Sequence, residues 1–547
     1  MEDVEAGRRR GLYAAGFVSY EAAPGFDAAL TTHAPAGPPL VWFGLFEPPV
    51  SDASSSVTHD TRRIDEDTRP LTWAPDITPD AYGAGSAAVR EAILSGDSYQ
   101  ANYTFRLHAT IDPREMRALY RGLAVDQRAP YSAFLDLGRW QILSLSPELF
   151  FRIDGGRLVT RPMKGTAPRG LWREDDEAQA AWLAASEKNR AENVMIVDLA
   201  RNDVGRIADI GSVRASSLFD VERYPSVWQM VSTVEGRVRA GTTIADVFTA
   251  LFPAGSITGA PKTSSMRLIA SIERAPRGVY CGAIGYVSPD GDAAFNVAIR
   301  TAAIDVEAGV ATYGVGGGIT WDSRAEDEHA EAMSKAACLT PAPAFDLIET
   351  MRLDDGRCVR EARHLQRLRE SAAFFDRPFD ADGVTHALRE HARAHAGPSR
   401  RVRLRLDATG RPHVESWPLD APVRQPAPVA LAATPVSHRD WRLYHKTTQR
   451  DVYERHRRER PDVFDVLLWN DERAVTELTI VNLIAEIGGH RWTPDRRCGL
   501  LAGVFRGELL DAGEIRERVI PIDDLARATR LWLINSLREW VEVRLTA

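Results

Sequence analysis

The sequence predicts an α+β fold in more than one domain, and three observations carry that reading. A chain of 547 residues is too long for one hydrophobic core, and at about 100 to 200 residues per domain it divides into two to four. Strand-like alternation of the antiparallel kind is mixed with segments of helical period. A Pro/Ala run, Leu339-Thr340-Pro341-Ala342-Pro343-Ala344, reads as a linker and separates residues 1–340 from residues 345–547, with 341–344 as the joint.

Taken in order, strands are expected at residues 14–20 and 41–46, followed by a polar loop, Asp52-Ala53-Ser54-Ser55-Ser56. Residues 81–94 have a helical pattern, Gly96-Asp97 breaks it, and 99–107 alternates like a strand. Strands at 132–137, 141–145, 149–153 and 158–161 precede helices at 175–199 and 243–251. Strands at 279–287, 294–304 and 309–314 lead to a helix at 325–338. The second unit, of about 200 residues, reads as strand 345–353, helix 361–375 and strands 401–406 and 463–469.

Composition narrows the function. Hydrophobic residues at 44%, charged residues at 26% and a formal net charge of -8 describe an ordinary globular protein and give no reason to expect nucleic acid. The cysteines Cys281, Cys338, Cys358 and Cys498 are scattered without a CxxC pair, which suggests neither a disulfide framework nor a zinc site and fits a reducing cytoplasm. The apolar run after Arg8-Arg9-Arg10 is too short to span a membrane and reads as a strand.

Two lysines stand out. Lys164, in Thr160-Arg161-Pro162-Met163-Lys164-Gly165-Thr166, follows a strand into a glycine-kinked turn, where burial or a neighbouring cation could strip its proton and leave a nucleophile. Lys446 lies after a probable strand in Tyr444-His445-Lys446-Thr447, and Glu477 places a carboxylate in an otherwise apolar stretch. Carboxylates on two helices complete the set. Glu328 and Glu331 share one helix face that Lys335 continues, and Glu192 sits near the start of another helix, which together could offer hard oxygen ligands to Mg²⁺.

The motifs around these residues resemble the chorismate-utilising family. They are Gly96-Asp97-Ser98-Tyr99-Gln100-Ala101-Asn102, Ser146-Pro147-Glu148, the Lys164 turn, ENVMIVDLARNDVGR at 192–206, FPAGSITGAPK at 252–262, Ile299-Arg300-Thr301 and YGVGGGI at 313–319. They run in the family's order over a core at 81–338. The resemblance implies an α/β sandwich with chorismate and Mg²⁺ between its layers. It implies that Glu192 and Glu331, with Glu328 beside them, hold the metal. Tyr280, Arg300 and the amides of Gly314 and Gly316 would take the enolpyruvyl carboxylate, with Gln100, Thr166 and Lys335 also lining the substrate site. Glu148 would be the general acid for the departing hydroxyl.

Two positions divide the family. Gln100 stands where water-adding members have lysine, so it is similar to the ammonia-using branch. Lys164 stands where anthranilate-forming members have alanine, so it is similar to the branch that makes 4-amino-4-deoxychorismate through a covalent lysine adduct. The chain departs from many members at Gln229, usually histidine, and at Asn189, usually aspartate. No cysteine has the Gly-x-Cys-x-Gly setting of a glutaminase, so ammonia is expected from a separate glutamine amidotransferase subunit or from free ammonium.

The C-terminal unit resembles the fold-type IV pyridoxal phosphate enzymes, 4-amino-4-deoxychorismate lyase among them, on the Lys446 and Glu477 segments, His364-Leu365-Gln366-Arg367-Leu368, Leu501-Ala502-Gly503-Val504-Phe505-Arg506 and Asn535-Ser536-Leu537. The resemblance implies Lys446 as the group that bonds the cofactor's aldehyde and Glu477 as partner of its ring nitrogen. Arg367 and the amides around Val504 and Phe505 would hold its phosphate, and a homodimer could form through this unit. Together the two units would convert chorismate and ammonia into 4-aminobenzoate and pyruvate. The alternatives are an anthranilate-forming first unit and a non-catalytic binding or sensing second unit.

Overall fold

The computed structural model describes residues 1–48, 71–340, 344–419 and 421–546. The expected loop at Asp52–Ser56 and most of the expected linker lie outside the described residues. The chain separates into two units, one of residues 1–169 and 179–342, the other of residues 170–178 and 343–547.

The first unit mixes helices with two large sheets. One sheet has nine strands and carries Leu149–Asp154, Arg157–Thr160 and Val227–Arg237 as neighbours, with Met163–Pro168 also paired to Val227–Arg237. Its apolar face packs on a cluster in which Phe150, Phe151, Phe248, Phe252 and Phe295 interlock edge to face and stacked. The second sheet has seven strands, and its long strands Gln100–Thr110 and Val310–Ile319 pair over their whole length, from Ala101 opposite Ile319 to Thr110 opposite Val310. A buried ion network anchors the first of them. Glu273 accepts from the Thr104 N–H at 2.9 Å and the Thr104 hydroxyl at 2.8 Å, and Arg277 donates to the same carboxylate at 2.7 Å.

Several elements differ from the sequence expectation for identifiable reasons. The helix expected at 175–199 is two helices, Arg173–Ala185 and Glu187–Gly205, because Ser186 leaves the helical region and caps the second by accepting from the Asn189 N–H. The strand expected at 294–304 divides into Ala293–Val297 and Thr301–Asp305, and the break contains Arg300 at φ 50. The expected helix at 325–338 is α-helical over Ala325–Ser334 and tightens to 3₁₀ over Lys335–Leu339. The long hairpin Arg214–Arg223 with Val227–Arg237 was not anticipated from the sequence.

The second unit has a four-stranded sheet, in which Leu347–Asp354 and Arg400–Leu406 pair, and an eight-stranded sheet containing Asp465–Trp469, Val475–Leu478 and Asn482–Ile487. In Leu347–Asp354 the alternating residues Leu347, Glu349, Met351 and Leu353 are all buried, so one carboxylate is carried into an otherwise apolar face.

Candidate active sites

The first candidate site is built on a glycine-rich stretch of strand, in which Gly314, Gly316, Gly317 and Gly318 carry no side chain. From Gly314 onward the strand Val310–Ile319 pairs only with Gln100–Thr110, because the register with Thr301–Asp305 ends at Tyr313. Its outer edge is therefore open. The Gly316 carbonyl points there and accepts from Lys335 Nζ at 2.8 Å. A residue in an antiparallel ladder directs its N–H and C=O to the same side, so the N–H groups of Gly314 and Gly316 face that edge too.

Absent side chains make room for functional ones. A methyl group at Gly318 would lie 1.8 Å from Gln100 Nε2 and 3.2 Å from Lys164 Nζ, and one at Gly317 would lie 3.4 Å from Glu328 Oε2 and 3.6 Å from Lys335 Nζ. One at Gly314 would overlap the Tyr280 ring. These glycines thus leave room against the strand for Gln100, Lys164 and Tyr280 at one set of alternate positions and for Glu328 and Lys335 at the other. Gln100 is buried and its Oε1 has no partner among the described residues.

Lys164 is only partly covered, yet enough protein surrounds its amine that desolvation is the largest influence and lowers its pKa. Glu148, Glu192 and Glu331 oppose that shift and Lys335 reinforces it, so all four lie within electrostatic reach of the amine. Glu148 is 4% exposed. Burial pushes its pKa up to about 7, against the opposing pull of the Ser256 hydroxyl, which donates to Oε1 at 2.6 Å, and of Lys164. An amine with lowered proton affinity thus lies within electrostatic reach of a carboxyl whose proton affinity is raised.

The three acidic residues are near each other without forming a closed ligand set. Burial raises the pKa of Glu328, with Glu331 and Glu192 adding to the shift, while Ser323 donates to its Oε1 at 2.6 Å. Glu331 pairs with Lys335 at 2.9 Å. Among the described residues no three His, Cys, Asp or Glu side chains are grouped as a metal site. The mutual repulsion of these carboxylates is nevertheless the chemistry of a donor set that a divalent cation would relieve. Thr166 is exposed, its hydroxyl bonded to Gln229, and Arg300 is half-buried. Ser256 and Asn193 were not singled out for the site from sequence, although both lie inside the family motifs, and Gln229 was noted only as a departure from the family's usual histidine.

The second candidate site gathers around Lys446, which follows a 3₁₀ turn, Trp441–Leu443, and a short irregular stretch instead of the expected strand. Its carbonyl accepts from the Ile348 N–H at 2.9 Å, which ties it to the strand Leu347–Asp354. Desolvation first, then Arg450 and Arg367, lower the Lys446 pKa to about 7. Burial raises Glu477 to about 8 although Tyr453 donates to it at 2.8 Å and the Leu501 N–H at 3.2 Å. Near neutrality the amine can be free and the carboxyl protonated.

Arg367 is held on both sides. Its Nε and Nη2 donate to Glu349 at 2.8 and 2.7 Å, and Nη1 donates to the Ala502 carbonyl at 3.0 Å. His364 Nδ1 lies 2.6 Å from the same carboxylate. Flanked by these partners, Glu349 is held at about 2 in spite of its burial. Asn482 Nδ2 bridges Glu477 at 3.1 Å and the Leu501 carbonyl at 2.8 Å. The helix Val504–Asp511 begins directly after this loop at Gly503, with no side-chain cap on its first N–H groups. A reactive lysine, a proton-holding carboxyl, an arginine and an uncapped helix start match the aldehyde, ring nitrogen and phosphate of pyridoxal phosphate. Glu349, His364 and Asn482 were not anticipated as site residues.

Known proteins match the chain in the same two parts. The family of chorismate binding enzymes matches residues 1–341, and the class IV amino-transferase family matches residues 346–546. The chain is 44% identical over 263 residues to aminodeoxychorismate synthase component 1 of Escherichia coli (strain K12), covering 48% of this chain and 57% of that protein. It is 38% identical over 276 residues to anthranilate synthase component 1 1 of Haloarcula marismortui, covering 50% of this chain and 56% of that protein. The solved structure of anthranilate synthase component I from Streptococcus pneumoniae TIGR4 superposes with a TM-score of 0.53 at 31% identity, over 60% of this chain and 80% of that one. The chain thus spans somewhat more than half the length of these two curated relatives. No helix among the described residues is long and apolar enough to cross a membrane.

Proposed function

Since the chain belongs to the chorismate binding enzymes, we propose that its first unit aminates chorismate to 4-amino-4-deoxychorismate and that its second unit removes pyruvate from that product to leave 4-aminobenzoate. The observation that carries the reading is the pairing of Lys164 with Glu148, an amine with lowered proton affinity beside a carboxyl raised to about 7. The Lys164 amine attacks ring carbon C2, both ring double bonds shift round through C1, C6 and C5 to C4, and the C4 hydroxyl leaves as water with the proton of Glu148. Ammonia then attacks C4, both double bonds shift back, the C2–N bond breaks to return the lysine, and a proton of the incoming ammonia restores Glu148. The sum is chorismate plus ammonia giving aminodeoxychorismate plus water, and each substitution is easier than the direct one.

The open edge of the glycine strand, with Arg300 and Tyr280, suits a carboxylate of the substrate. Gln100 Oε1, buried and without a partner among the described residues, is an acceptor for an N–H of ammonia. Glu192, Glu328 and Glu331 would hold Mg²⁺, whose charge would offset the ring carboxylate. All four thiols are pushed up in pKa, Cys281 and Cys498 to about 11, Cys358 to about 12 and Cys338 in the same direction, chiefly by burial. Such thiols make poor nucleophiles, which supports a separate amidotransferase as the ammonia source.

In the second unit Lys446, Glu477, Arg367 and the start of Val504–Asp511 would hold pyridoxal phosphate. When bound, the cofactor supplies an aldehyde for the substrate amine and a ring that withdraws electrons. Lys446 can accept and return a proton near neutral pH, and Glu477 would supply the proton that a ring nitrogen bound against it carries.

The test is Lys164→Ala with chorismate, Mg²⁺ and ammonium. It should form no aminodeoxychorismate, and normal turnover would remove the covalent step.

A further inference from the structure

The strand Met163–Pro168 does not run regularly against its neighbour. Thr166 pairs with Gln229 and Met163 with Val231, so three steps on one strand match two on the other. The extra residue makes a β-bulge at Lys164 and Gly165, which leaves part of the ladder unmade and turns the local side chains. Gly165 is at φ +96, and a methyl there would press on Asn189 and on Met230 Cβ at 3.1 and 3.2 Å.

Two side-chain amides occupy the carbonyls of these two residues. Asn193 Nδ2, from the helix Glu187–Gly205, donates to the Lys164 carbonyl at 3.1 Å, and Gln229 Nε2, from Val227–Arg237, donates to the Gly165 carbonyl at 2.8 Å. Each amide is fixed at its other end. The Ser232 hydroxyl donates to Asn193 Oδ1 at 2.5 Å and in turn accepts from the Phe219 N–H at 3.1 Å, while the Thr166 hydroxyl donates to Gln229 Oε1 at 2.9 Å. Asn193 is 1% exposed, so its choice of partner is forced.

We infer that Asn193 and Gln229 are positioning residues for Lys164, a two-amide clamp that replaces the missing ladder bonds of the bulge and sets the direction of the lysine side chain. The inference rests on the amination reading above. Each amide is engaged through both its oxygen and its nitrogen within the clamp, so both residues act on the reaction through the lysine. Loosening the clamp should impair attack without impairing capture of chorismate.

The test compares Gln229→Met and Asn193→Leu with the parent and with Lys164→Ala, measuring aminodeoxychorismate formation over a range of chorismate concentrations. Each clamp variant should lower kcat at least tenfold and leave the chorismate KM within twofold, and the double variant should lose less than the product of the two. If Gln229→Met does not fold, Gln229→Glu keeps the shape and the Thr166 contact but turns a donor into an oxygen facing the Gly165 carbonyl, with the same loss expected. An unchanged kcat, or a kcat loss matched by an equal rise in KM, overturns the clamp. An inactive Lys164→Ala beside fully active clamp variants would sink the clamp alone, whereas an active Lys164→Ala would sink the lysine reading with it.

Discussion

Replacing Glu148 with glutamine should stabilise the protein while abolishing amination. The carboxyl is buried at 4% exposure and titrates at about 7, against an ordinary value of 4.5. Because the folded-state pKa is raised, the folded protein keeps the proton that the unfolded chain releases. Stability is then highest below about pH 4.5 and falls as the pH rises to about 7, where the penalty levels off. The difference of about 2.5 pH units corresponds to roughly 3 kcal/mol at 1.36 kcal/mol per unit. Glutamine has nearly the same shape and no charge to desolvate, and the Ser256 hydroxyl that now donates to Glu148 can rotate to accept from an amide. Urea unfolding of parent and variant across pH 4.5 to 8 should show the variant gaining about 3 kcal/mol at pH 8 and little at the acidic end. With ammonium and chorismate the variant should make no aminodeoxychorismate. A variant equally stable or weaker at pH 8, or one that still turns over, would refute both the buried acid and its role.

Other outcomes follow from the same geometry. The parent's amination rate should fall above about pH 7 as Glu148 ionises, seen in a kcat profile at saturating ammonia. Gly318→Ala puts a methyl 1.8 Å from Gln100 Nε2 and should cost amination at least tenfold, while a melting curve shows less than about 1 kcal/mol of destabilisation because the far end of a side chain can yield. Lys446→Ala mixed with pyridoxal phosphate should lack the visible absorption band that the parent develops. Glu349→Gln leaves the half-buried Arg367 without its counter-charge and should destabilise the protein by about 3 kcal/mol at pH 7. That difference should shrink as the pH falls from about 4.5 toward 2, since the depressed Glu349 pKa stabilises only where the unfolded carboxyl is ionised.

The legible part of the sequence was the part whose chemistry is local. The strand Val41–Phe46 and the helix starting at Glu361 follow from alternation and period at their observed bounds. The family resemblance assigned the amides of Gly314 and Gly316 to a substrate carboxylate, and among the described residues the strand has no second partner strand from Gly314 onward. What could not be read depends on distant pairing. The Lys164 bulge exists only because Met163–Pro168 pairs with Val227–Arg237, more than sixty positions later, and locally only Gly165 marks it, which read as a turn. Glu349 alternates with Leu347 and Met351 and so sits on their buried face, but a carboxylate on a strand ordinarily reads as solvated. Its need for burial appears only with His364 and Arg367 brought beside it. The break at Ser186 was the reverse case, a local capping signal passed over inside a helical pattern.

The most direct measurement is the product formed by the whole chain from chorismate, Mg²⁺, ammonium and pyridoxal phosphate. The account predicts 4-aminobenzoate and pyruvate, with aminodeoxychorismate accumulating in Lys446→Ala and chorismate untouched in Lys164→Ala. Formation of 2-aminobenzoate, or 4-aminobenzoate from the Lys164→Ala protein, would contradict it.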